Sequence, residues 1–184
     1  MTRWVVAALM LVCVGAGTRA YALTDAEYQK LHDDIVATTS LAPKVAAGDY
    51  GGIAAYYNGV AQPAFYVWRV VVPPAEYTGR NSIVWSELKT VPQGQKDVFN
   101  MMTAGQTRSL DYSDPNILDG LDQAFNKNST TYANLMELGK AQATVFQKLY
   151  ATGVGSQASP AITTQQGPVA PADIRHALGG VPLN

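Results

Sequence analysis

The chain has 184 residues, 47% hydrophobic and 15% charged, with a formal net charge of −1. That length suits one domain, and the apolar fraction is ample for a packed core. The near-neutral balance argues against a dedicated nucleic-acid binder, which needs clustered lysine and arginine against phosphates. The charged fraction falls below the usual level of about 25%, so neutral and small apolar residues are left to form much of the surface. The single cysteine, Cys13, lies inside the apolar N-terminal run. Without that run the chain has no thiol, which excludes disulfides, zinc–thiolate sites and cysteine nucleophiles from the remainder.

Residues 1–22, "MTRWVVAALMLVCVGAGTRAYA", carry the parts of an export signal. Arg3 leads, an apolar run follows from Trp4 to Val14, and a small-x-small ending closes at Ala20-Tyr21-Ala22. The run is shorter than a membrane span needs. Cleavage after Ala22 would remove Arg3 and Arg19 and shift the formal charge from −1 to −3. The other reading is an extension translated from upstream of the true start. Thr24-Asp25-Ala26-Glu27 spells a capping box, with Leu23 placed to staple onto Tyr28, so a domain can begin at Leu23 under either reading.

From there a helix is expected over Thr24 to Thr38, with Leu31, Ile35 and Val36 on one side. Leu41 to Val60 reads as one or two short helices broken near "GDYGG". In "PAFYVWRVVVPPAEY", Val70 to Val72 should be extended, because a residue before proline avoids the helical region. Short helices follow at Asn81 to Leu88 and Pro92 to Thr103. Asp114-Pro115 is a helix start that runs to Phe125. Asn128 or Ser129 caps the longest expected helix, Thr130 to Tyr150, stopped by Gly153. "GVGSQASPAITTQQGPV" reads as a flexible connector, and Pro171 to Leu178 as a last short helix. The expected fold is mainly α: a compact helical bundle over residues 23–152 with an irregular middle segment. A flexible arm at 153–184 ends in a short helix, and no sheet of any size is expected.

The candidate chemistry is sparse. His32 and His176 are the only histidines, and neither has neighbours at chelating spacing. Asp111, Asp114, Asp119 and Asp122 do not follow a calcium-loop spacing, and Asp114 is better explained as a cap. "GVGSQA" fits G-x-G-x-x-A but follows a helix, where a dinucleotide site needs a strand before it. The aromatic residues of "FYVWR" and Trp85 offer a stacking platform in principle, yet large aromatics belong inside, with Arg69 covering their edge. No catalytic residue, metal ligand or cofactor is assigned.

The stretches "AFYVWR", "SIVWSEL", "ILDGLDQAF" and "LYATGVGSQASPA", in this order, resemble a family of small tailed-bacteriophage proteins encoded among head and tail genes. The resemblance runs from Leu23 to Leu178. It rests on Phe65, Val67, Trp68 and Arg69, then Trp85, Glu87 and Leu88, then Gly153, Gly155, Ser159 and Pro160. Val154 departs from it, standing where threonine is more usual. The resemblance implies a non-enzymatic virion or virion-assembly protein near the head–tail connection, located in the virion or the host cytoplasm. It would contact other phage structural proteins in an oligomeric assembly, without nucleic acid, membrane or small-molecule substrate. Partner-binding positions are expected at Gly153, Gly155, Ser159, Pro160 and Arg69. An export-like leader has no place in such a protein, so the resemblance implies a false upstream start. The alternative is an exported, periplasmic or secreted, helical binding protein with a groove around Tyr56, Tyr57, Trp68 and Trp85.

Overall fold

The computed structural model describes residues 23–79 and 81–179; the export-signal reading concerns residues 1–22, outside the described residues. The chain is mainly α, as the periodicity implies. Its helices are α1 (Asp25–Ala37), α2 (Ala42–Ala47), α3 (Tyr50–Asn58), α4 (Pro74–Tyr77), α5 (Trp85–Leu88), α6 (Gln93–Met102), α7 (Pro115–Ala124), α8 (Thr130–Leu138), α9 (Val145–Leu149) and α10 (Pro171–Ala177). Two antiparallel ribbons interrupt them. Strand β1 (Tyr66–Trp68) pairs with β2 (Lys140–Gln142), and β3 (Ala151–Thr152) with β4 (Ile162–Thr163).

Residues 23–57 with 146–174, and residues 72–135, build separate apolar clusters. Leu31 and Ile35 of α1, Ile53 and Tyr57 of α3, Phe146 of α9 and Ile174 of α10 pack together in the first. The second joins Val72, Tyr77, Ile83, Phe99, Leu110, Tyr112, Leu121 and Leu135. A small third group, Val67, Ala143 and Ala161, lies around the β1 strand.

Local chemistry sets the helix starts. Thr24 and Glu27 form a reciprocal capping box, with the Thr24 hydroxyl accepting from the Glu27 amide and the Glu27 carboxylate accepting from the Thr24 amide. Asp114 accepts from the Asn116 amide at 2.9 Å, with Pro115 in the first turn. Ser129 accepts from the Tyr132 amide at 3.1 Å.

The expected long helix from Thr130 to Tyr150 is corrected to helix, strand, helix. α8 stops at Leu138, residues 140–142 pair with β1, and Thr144 and Gln147 form a new capping box that starts α9. Gly139 permits the break. The Tyr112 ring lies where a Cβ at Gly139 would be, and the Gly139 carbonyl accepts from the Arg69 amide at 2.8 Å. A strand partner thus overrides an uninterrupted helical periodicity. The expected helix at 81–88 is shorter, confined to α5.

The flexible arm is also corrected. Residues 153–161 form the connection between β3 and β4, and Ala161 lies alongside Val67 in a parallel bridge. Val169 exchanges two hydrogen bonds with the Asn58 side chain, each 2.9 Å. α10 packs against α1 and α3 and places Ile174 fully inside. Burial of Ala161, Val169 and Ile174 makes this segment part of the core. Among the described residues, no helix is long and apolar enough to cross a membrane.

Candidate functional site

A cleft of about 400 Å³ opens between α5, α6 and the end of α7. Its apolar wall comes from Leu88, Val91, Phe99, Ala124 and Phe125. Phe99 and Phe125 meet edge to face, with centroids 5.1 Å apart, and both are buried. Trp85 lines the same cleft yet remains 56% exposed. The expectation that Trp85 belongs to the core is therefore corrected. Trp85 and Leu88, three residues apart on one face of α5, both border the cleft, and the indole stands at its exposed side.

A helix of one turn has little stability of its own. α5 is held from outside by α8. The Glu87 carboxylate accepts from the Thr130 and Thr131 amides at 3.0 and 2.8 Å, and the Val84 amide donates to the Thr131 hydroxyl at 3.0 Å. These contacts with Thr131 hold the Glu87 carboxyl below its ordinary range. They also place an anion at the positive end of the α8 dipole.

Polar groups mark the rim. Lys89, Lys96, Gln95, Asn100 and Gln106 line the cleft, and no acidic residue does. Gln106 arrives on an unusual turn in which Ala104, Gly105 and Gln106 all have positive φ, at 47°, 65° and 68°. Thr103 holds that turn: its buried hydroxyl donates to the Phe99 carbonyl at 2.8 Å and accepts from the Gln106 amide at 3.2 Å.

The positions singled out by sequence lie elsewhere. Arg69 is occupied internally: it grips Glu76 with two hydrogen bonds, 2.6 and 2.9 Å, and donates to the Leu138 carbonyl at 3.1 Å. The Arg69 guanidinium holds the Glu76 carboxyl below its ordinary range. Gly155 is buried beneath the Phe65 ring with φ +70°, and its carbonyl accepts from the Tyr66 amide at 2.7 Å. Pro160 is buried, whereas Gly153 and Ser159 are exposed in the β3–β4 connection, next to a 74% exposed Val154. The segments "AFYVWR" and "GVGSQASPA" are therefore in direct contact. "SIVWSEL" and the end of "ILDGLDQAF" meet at the cleft.

The four aromatics of the alternative groove do not share a wall. Tyr57 is buried in the first cluster, Trp68 packs on the second, and only Trp85 lines the cleft. His32 rests against Asp33 at 3.1 Å, closer than their adjacent helix positions suggest, and His176 lies against the Tyr28 ring. Asp122 is tied to Lys127 and accepts from the Tyr132 hydroxyl, while Asp111 accepts from the Ser113 amide. Among the described residues, no three histidine, cysteine, aspartate or glutamate side chains converge on a metal position. The cleft itself was not anticipated. Its one sequence signal was the pair Trp85 and Glu87 inside "WSEL", which gives no hint that Phe125 and Gln106 arrive beside them.

The chain matches no protein-family model, no curated protein and no solved structure.

Proposed function

We propose that the chain is a non-enzymatic component of a tailed-phage virion, or of its assembly, acting near the head–tail connection through protein–protein contacts. The observation that carries the contact role is Trp85, an exposed large aromatic on a one-turn helix fixed at both Val84 and Glu87, at the mouth of an apolar cleft. Tryptophan in such a setting is the residue type that most often dominates binding energy at interfaces. The phage assignment rests on the resemblance of the four ordered stretches. The β3–β4 connection, with Val154 at its exposed edge, offers a further contact surface.

The test is deletion of the gene from the phage or prophage that carries it, followed by electron microscopy of the lysate. Unjoined heads and tails are the expected outcome. Normal particle yield and infectivity would remove the virion reading.

The second reading, an exported envelope binding protein, is favoured by one observation: the signal-like composition of residues 1–22. Intact mass and N-terminal sequencing of the natively expressed protein separate the two. A mature chain starting with leucine at position 23 supports export. A methionine at that position, or a chain beginning just after it, supports initiation there and the phage reading.

A further inference from the structure

The lysines of this chain divide cleanly by what they touch. Lys44, Lys127 and Lys140 each pair with a carboxylate, and Lys30 and Lys148 lie over the rings of Tyr150 and Phe65. The chain has two more, Lys89 and Lys96, and these have no acidic or aromatic partner among the described residues. Both line the Trp85 cleft. The three carboxamides there behave alike: the side chains of Gln95, Asn100 and Gln106 make no hydrogen bond among the described residues. The cleft thus combines an apolar floor, uncommitted cations and uncommitted groups that both donate and accept.

We propose that this cleft binds a short acidic peptide segment of a partner protein, one that inserts an apolar side chain between Trp85, Phe99 and Phe125. Charge complementarity selects the occupant. Lys89 and Lys96 face a cleft without acids, so carboxylates flanking the inserted side chain gain attraction and a cationic segment is repelled. Free carboxamides suit the alternating N–H and C=O groups of an extended peptide backbone. A nucleic-acid strand fits less well, because it needs a continuous track of cations along its phosphates and the cleft offers two among the described residues. The inference rests on the reading of the chain as a protein-contact component, and it names the chemistry of the segment contacted.

The test uses the full chain and a synthetic hexapeptide, acetylated and amidated, with a central leucine–phenylalanine pair flanked by glutamates. Binding is followed by the Trp85 indole NMR signal, assigned with a Trp85→Phe variant. The expected result is saturable binding that weakens as salt rises. The double variant Lys89→Gln/Lys96→Gln should bind about tenfold more weakly, from the loss of two exposed charge contacts. The equal-charge control Lys44→Gln/Lys127→Gln should bind as the parent does.

Three outcomes overturn the inference: a lysine-flanked version of the peptide binding equally well, an oligothymidylate moving the Trp85 signal while the acidic peptide does not, or no saturation with either. The virion reading fails separately. If the acidic peptide binds but gene deletion leaves particles intact, the cleft assignment stands and the virion assignment falls. If deletion blocks assembly but the peptide does not bind, the reverse holds.

Discussion

The guanidinium of Arg69 and the carboxylate of Glu87 grip opposite ends of α8. Glu87 accepts from the first amides of the helix, at Thr130 and Thr131, and Arg69 donates to its last carbonyl, at Leu138. The charges match the helix dipole at both ends, negative at the N-terminus and positive at the C-terminus. Each also fixes a different element: Arg69 continues from β1, and Glu87 belongs to α5. One helix of nine residues therefore sets the position of the β1 ribbon relative to the cleft.

Loss of either grip should loosen the middle of the protein. Arg69→Met leaves the Glu76 carboxylate and the Leu138 carbonyl without their partner. Solvent screening of the half-exposed pair limits the cost to about 1 kcal/mol. Glu87→Gln keeps the shape but weakens the cap, so its thermal midpoint should also fall. Thermal unfolding of both variants, followed by circular dichroism, checks this. Midpoints equal to the parent's would show that α8 holds its ends without them.

Stability should fall in acid. Glu76 is held low by the Arg69 guanidinium, Glu27 by the Thr24 amide, Glu87 by Thr131 and Asp122 by Lys127. In the unfolded chain these groups return to ordinary values of 4.5 for glutamate and 3.8 for aspartate. Between the folded and unfolded values the unfolded chain binds more protons, so a drop in pH favours unfolding. The urea midpoint should be level above the unfolded values and decline as pH falls through them toward the folded ones. Glu76→Gln should flatten part of that decline; an identical decline would show that the Arg69 pair does not contribute.

The C-terminal segment should be indispensable for folding. Ile174 of α10 is fully buried against α1 and α3, and truncation to Ala leaves a cavity costing about 2–4 kcal/mol. Gly155→Ala meets two obstacles, a left-handed φ and the Phe65 ring where the new methyl would sit. Together these should cost about 2–4 kcal/mol. Urea unfolding measures both. Removal of everything after Thr152 should abolish the cooperative transition; a truncated chain that still unfolds cooperatively at the parental midpoint would show that the segment is an accessory arm.

Local signals were legible where a cap announces a helix. Thr24 and Glu27, Asp114 with Pro115, and Pro171 gave α1, α7 and α10 to within a residue or two. The break at Gly139 was not legible, because Leu135, Met136, Ala143 and Phe146 keep a helical period across it. Only the pairing of residues 140–142 with β1, distant in sequence, decides the matter. The capping box at Thr144 and Gln147 was a sequence signal for a new helix, hidden by that same period. The cleft was illegible for a related reason. Trp85 reads as core by type, and its exposure follows from a one-turn helix whose orientation is set by contacts with Thr130 and Thr131.

The turn that carries Gln106 allows stability and binding to be moved in opposite directions. At φ 68° a side chain costs about 1 kcal/mol relative to ordinary backbone. Gln106→Gly relieves that cost but gives the unfolded chain more freedom, for a net gain of up to about 1 kcal/mol. Gln106→Val puts a β-branched residue in the same conformation and should lose about 1–2 kcal/mol. Both variants delete the carboxamide at the cleft, so both should bind the glutamate-flanked peptide more weakly than the parent. The order of stability, glycine at or above glutamine and valine below, reports the strain alone. Weaker binding by the more stable glycine variant reports contact at the cleft, which general loosening cannot explain. Parental affinity in both variants would place Gln106 outside the binding surface.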